Sequence, residues 1–175
     1  MDSSKRIIIG IDPGSRTTGY GVIRVEGTKQ IPITFGQIHS NIPEISERLR
    51  QIYAGLQQVI ALHQPTEVAI EQIFTLHNHQ SALKLGQARG VALVATADFH
   101  LPVFEYSAKQ IKQAIVGYGA AAKTQIQHMV RILLKLEQTP PPDAADALAI
   151  ALCHANSQGL SQQLKQQLAK TGTKA

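Results

Sequence analysis

Apolar and polar positions change their period several times along this chain, and each change predicts an element. Residues 7–12, Ile-Ile-Ile-Gly-Ile-Asp, form a β-branched run closed by Pro13-Gly14 and read as a buried strand. Residues 17–25 predict a second strand, with Pro13-Gly14-Ser15-Arg16 as the turn between the two, and residues 32–39 a third. The chain thus opens as a β-meander. From Pro43, suited to a first helical turn, Ile45, Leu49, Ile52, Leu56, Val59 and Ile60 recur at spacings of three and four. That is one apolar helix face, and it ends near His63-Gln64-Pro65.

Residues 67–70 predict a short strand ending at Glu71, and residues 81–97 a helix despite Gly86 and Gly90. A strand follows over 102–106. Ser107 and Gln110 have the S-x-x-Q form of a capping box opening a short helix, which Gly117-Tyr118-Gly119 breaks. Further helices are predicted over 123–136 and over 143–154, the last entered through Pro140-Pro141-Pro142. Strands first in a meander and then alternating with helices predict an α/β fold, a mixed sheet flanked by helices. One domain over residues 7–158 is expected, with an extension at 1–6 and a polar, fraying Gln- and Lys-rich tail at 159–175.

Composition narrows the class. With 175 residues and 43% apolar content the chain can bury a single core. Lone Cys153 excludes an internal disulfide. The N-terminal apolar run falls short of the roughly 7–15 residues of a secretion signal, and no run approaches the ~20 of a membrane span. A cytoplasmic protein is therefore expected. A net charge of +5 favours polyanionic partners.

The placement of the few acids changes the picture most. Among twelve Asp and Glu residues, Glu26, Glu44 and Glu47 fall in turns or first helical turns, where charge is cheap. Asp12 instead ends a run of isoleucines, Glu71 ends Val68-Ala69-Ile70, and Asp143 and Asp146 share one face of an alanine-rich helix. Carboxylates beside a core are costly unless paired, hydrogen-bonded or bound to metal. Hard oxygen donors without a His or Cys set suit Mg²⁺ or Mn²⁺, and two such ions can drive phosphoryl transfer. Singly, Asp12 also suits a Pro-Gly turn, and Asp143 a cap or first-turn anion. Spacing does not show that the four converge. His77-x-His79, far from Cys153-His154, does not match a structural zinc spacing, and Cys153 lacks an assembled partner for nucleophilic work.

Gly10-Ile11-Asp12-Pro13-Gly14-Ser15-Arg16, followed by Thr18-Gly19-Tyr20-Gly21, resembles the opening of the bacterial RuvC junction resolvases. Ala69-Ile70-Glu71-Gln72-Ile73-Phe74 is similar to that family's second acidic motif. Residues 81–90 resemble its long helix, and Asp143-Ala144-Ala145-Asp146-Ala147-Leu148-Ala149 its final motif. The resemblance implies a ribonuclease H-like fold and a metal site of Asp12, Glu71, Asp143 and Asp146. It also implies a homodimer that nicks four-way junction DNA in symmetric pairs, leaving 5′-phosphate and 3′-hydroxyl ends. The cofactor implied is Mg²⁺, with Mn²⁺ as a substitute and two ions per subunit, and the implied delivery partner is the RuvA–RuvB branch-migration complex. Phe74, three residues past Glu71, is then expected to stack on an unpaired base, and Lys112 and Lys123, with Lys109, to contact the DNA backbone. Ala82, Gly86 and Gly90 form a smooth helical stripe suited either to the sheet or to a dimer interface.

Three other classes compete. An actin-like ATPase also opens with strand, Asp and glycine loop but needs two domains, more than 175 residues provide. A ribonuclease H-like enzyme acting on RNA would carry a similar acidic site. A junction-binding protein without activity would not need four intact acids.

Overall fold

The structure, a computed structural model, describes residues 6–73 and 79–171. Five strands form one sheet: β1 (Arg6–Asp12), β2 (Thr17–Glu26), β3 (Lys29–His39), β4 (Glu67–Glu71) and β5 (Val103–Tyr106). They lie in the order β3-β2-β1-β4-β5. β1 pairs antiparallel with β2 and β2 antiparallel with β3, whereas β1–β4 and β4–β5 are parallel. This is the mixed sheet of the ribonuclease H-like fold. The helices are α1 (Ile45–His63), α2 (His79–Ala97), α3 (Ala108–Val116), α4 (Lys123–Leu133) and α5 (Pro142–Thr171).

The isoleucine run of β1 is apolar throughout because both sheet faces are covered. Ile9 and Ile11 join Val22, Val68 and Ile70 under α1 and α2, which contribute Ile52, Leu56, Ile60, Ala88 and Ala92. Ile8, Ile23 and Ala69 face the other way, under Leu148, Ile150 and Leu152 of α5 and Ile111, Ile126 and Val130 of α3 and α4.

α5 comes unusually near the sheet. A Cβ at Gly10 would stand 2.0 Å from the Ala147 carbonyl oxygen, and one at Gly19 would stand 2.0 Å from that of Asp143. Glycine on the strands faces Ala144, Ala147 and Ala151 on the helix, all fully buried, so backbone rests almost on backbone. Asp12 follows Gly10 by two and Glu71 follows Ala69 by two, so both carboxylates face α5.

The elements anticipated from the pattern are present, with shifted ends. β3 begins at Lys29 rather than at 32. It crosses Pro32, which an edge strand tolerates, beside a register shift at Val22/Ile23. Arg6, expected in the extension, is the first residue of β1 and donates from Nε and Nη2 to Glu67 (2.9 and 2.7 Å). The last helix starts at Pro142 and continues past His154 and Gly159 to Thr171. The Gln-, Leu-, Lys- and Ala-rich sequence there has helix-forming residues and no proline.

Because nothing can yield between two backbones, Gly10→Ala should destabilise the fold by about 3 kcal/mol or more. A urea or thermal melt checks this, with Gly159→Ala as the control, since a Cβ there meets nothing within 4 Å. Equal stability of the two variants would contradict the close packing of α5.

Candidate active site

The ends of β1 and β4 meet the first turns of α5 at a cleft of about 280 Å³. Asp12, Glu71 and Asp146 line it, with Lys112 from α3, Lys123 from α4, and Ile111, Ile126 and Ile150 as its apolar wall. Asp143 stands in the first turn of α5, one helical turn before Asp146. It therefore has the favourable first-turn position of an anion and also neighbours Asp12 closely enough for its charge to act there.

Local sequence places each group. The capping box expected at Ser107 is formed: its hydroxyl accepts from Gln110 N–H (3.3 Å), while Gln110 Oε1 accepts from Ser107 N–H (2.8 Å). This starts α3 directly after β5 and brings Lys112 to the cleft. At α4 the Gln125 side chain accepts from Ala122 N–H (2.9 Å), fixing the turn that carries Lys123. Lys109 lies outside the cleft, its stem packed near Gly119. Phe74 and His77 fall outside the described residues.

The cleft has a surplus of negative charge. Burial and then the charges of Asp146, Glu71 and Asp143 push the Asp12 carboxyl up to about 7, against the opposing pull of Lys123. Glu71 is raised too, by burial and then by Asp146, with Lys123 and Lys112 pulling down. Lys123 Nζ pairs with Asp146 (3.1 Å), which raises the lysine and leaves it charged. Glu67, on the same strand face as Glu71 but at the opposite end, behaves in the opposite way. Arg6 and buried His154 hold it below its ordinary value despite partial burial. The β4 acid at the cleft is thus stressed, while the one at the far end is satisfied.

Two side chains that sequence reasoning missed touch the site. Gln37 Nε2 of β3 donates to Asp143 Oδ2 (2.7 Å). Arg89 of α2 pairs with Glu105 (2.8 Å), and its Nε donates a long bond to the Glu71 carbonyl (3.4 Å). Neither has a spacing signal, because each acts across elements far apart in the chain.

The donor set, four hard carboxylates whose negative charge Lys112 and Lys123 offset only in part, fits a divalent cation. Among the described residues, however, no three His, Cys, Asp or Glu side chains stand as a closed cage. Gln37 and Lys123 hold two of the four acids, so the carboxylates surround a cleft on which a cation would draw them inward. Cys153 is buried and its thiol is pushed up to about 11, which removes it as a nucleophile.

A ribonuclease H-like sheet with carboxylates gathered at the ends of its central strands defines the chain as a nuclease-type member of that fold class. The family model described as "Crossover junction endodeoxyribonuclease RuvC" matches residues 8–154. The chain belongs to the RuvC family. The crossover junction endodeoxyribonuclease RuvC of Coxiella burnetii (strain Dugway 5J108-111) is 66% identical over 166 residues, 95% of this chain and 96% of that one. The Vibrio cholerae relative of the same name is 56% identical over 151 residues, 86% and 87% of the two chains. Thermus thermophilus RuvC, solved in complex with a Holliday junction substrate, superposes with a TM-score of 0.83 at 37% identity, over 89% of this chain and 96% of that one.

The raised Asp12 gives a stability signature. In chelator the fold holds a proton on Asp12 between its ordinary value of 3.8 and about 7, where the unfolded chain has lost it. Stability therefore falls as pH rises through that window and levels off above it. Asp12→Asn escapes this loss. Its melting temperature should match the native chain near pH 4 and exceed it near pH 8 by on the order of 5 °C. A difference that does not change with pH would mean that Asp12 is not electrostatically stressed.

Proposed function

We propose that this chain resolves Holliday junctions as a divalent-metal-dependent endodeoxyribonuclease. It hydrolyses one phosphodiester in each of two opposed strands and leaves 5′-phosphate and 3′-hydroxyl ends. The observation that carries the reading is the acidic cleft at the ends of β1 and β4, negative at its floor and bordered by Lys112 and Lys123. Asp12, Glu71, Asp143 and Asp146 hold the metal, Mg²⁺ with Mn²⁺ as a substitute and two ions per subunit. Bound there, the metal supplies an activated water and stabilises charge on the leaving oxygen.

The chain's own groups do the rest. Lys112 is half-buried and Lys123 exposed beside the carboxylates, so both can meet a phosphate entering over the acids. The apolar wall of Ile111, Ile126 and Ile150 lowers the local dielectric and strengthens those contacts. Lys109, further out, and Phe74 are assigned to the DNA flanks and to an unstacked base respectively.

The second subunit docks on α2. Leu83 and Val94 of that helix are 65% and 56% exposed, and Gly86 and Gly90 between them meet nothing. The stripe therefore faces away from the sheet, and a groove beside it is lined by Leu49, Tyr53, Val91 and Val94. A twofold pair of clefts suits a twofold-symmetric four-way junction. The RuvA–RuvB complex is the assigned delivery partner.

Asp12→Asn should reduce cleavage of a labelled synthetic junction at least about 10³-fold, a loss typical of removing one central stabilising group. Junction binding in a gel shift should be retained. Cleavage at the native rate would refute the assignment of the cleft. Linear duplex and RNA–DNA hybrid are the controls, since preferential cutting of the hybrid would move the activity to RNA.

Val94→Asp should convert a dimer to monomer in sedimentation velocity and turn paired nicks into single ones. A variant that remains dimeric would place the interface elsewhere.

A further inference from the structure

We infer that Gln37 is a positioning residue for Asp143, holding that carboxylate in a fixed orientation for the cation that the acidic cleft takes. This rests on the metal-site reading above. Gln37 lies on β3, two strands away from Asp12, in an edge strand to which nothing in the sequence assigned a role. Its Nε2 donates to Asp143 Oδ2 at 2.7 Å. The amide N–H donates and the carboxylate oxygen accepts, so this contact fixes which end of the Gln37 amide faces Asp143 and which way the carboxylate is turned.

The reach depends on the strand between. Gly19 of β2 is the register partner of Gln37. It has no side chain, and a Cβ there would collide with the Asp143 carbonyl. That bare position lets the first turn of α5 settle onto the sheet within reach of a β3 side chain. Glutamine has the length to use the opening, and asparagine is one carbon shorter.

The two acids of α5 are therefore held in different ways. Lys123 neutralises Asp146 and must share it with any arriving cation. Gln37 carries no charge, so it orients Asp143 without competing for its charge. Hydrogen-bond partners that orient ligating groups typically contribute 10–100-fold to metal affinity.

The test compares the full-length native chain with Gln37→Met, of similar length but without a donor, and Gln37→Asn, with a donor but without the reach. Mn²⁺ binding is read without DNA by the electron paramagnetic resonance signal of the free ion. Thermal melts in chelator report folding. Both variants should melt like the native chain and bind Mn²⁺ about tenfold more weakly. Their single-turnover junction cleavage should recover toward the native rate as Mn²⁺ is raised. Binding by Gln37→Met within twofold of native would overturn the role of Gln37 and leave the metal site standing. No Mn²⁺ binding by the native chain would overturn the metal-site reading and this inference with it.

Discussion

Everything at the cleft depends on how near α5 can lie to the sheet. Helices usually ride on a sheet through side chains, at a distance those side chains set. Here Gly10 and Gly19 on the strands oppose an alanine-rich helix, and the separation is set by main-chain atoms. Main-chain contact has no rotamers, so the height and rotation of α5 are fixed with little freedom. Asp143 and Asp146 inherit that precision, since they occupy the first two turns of the same helix. A functional group carried on a rigid element is held more exactly than one carried on a loop. At the other end of the sheet, fully buried His154, in the middle of α5, engages Tyr106 (2.6 Å) and Glu67 (2.5 Å), and Phe104 stacks on its ring. The helix is pinned at both ends of the sheet.

β4 shows how one strand separates a structural acid from a reactive one. Glu67 and Glu71 differ by four residues and point to the same face. Glu67 is met by a bidentate arginine and a histidine, and its charge is satisfied. Glu71 is met by other carboxylates, and no described residue forms an ion pair with it. The fold thus concentrates its unpaired negative charge at one end of the sheet. It tolerates the electrostatic cost there and nowhere else among the β-strand acids of β1 and β4.

The local pattern made most of the fold readable. The isoleucine run, the three-and-four spacing of α1 and the Ser107 capping box each carry their signal within a few residues. What the pattern could not supply was anything depending on contact between distant segments. Arg6 looks like a tail residue until Glu67, 61 positions away, is beside it. Asp12, Glu71 and Asp146 line one cleft only because strand order and helix rotation bring them there. Gln37 and Arg89 carry no motif, and each matters only through a partner on another element. The reach of α5 to Thr171 was missed for a different reason: its polar composition hides good helix propensity.

The edges of the sheet carry a consequence for how copies of this chain can associate. Open strand edges are templates for pairing with another chain, the first step toward domain swapping and fibrils. β5 is only four residues long, and β3 carries Pro32 beside an irregular register. Proline lacks the donor that a new strand would need, and a short strand gives little to pair with. Growth of the sheet from molecule to molecule is therefore disfavoured at both edges, and association is left to helical surfaces, where contacts close on themselves instead of propagating.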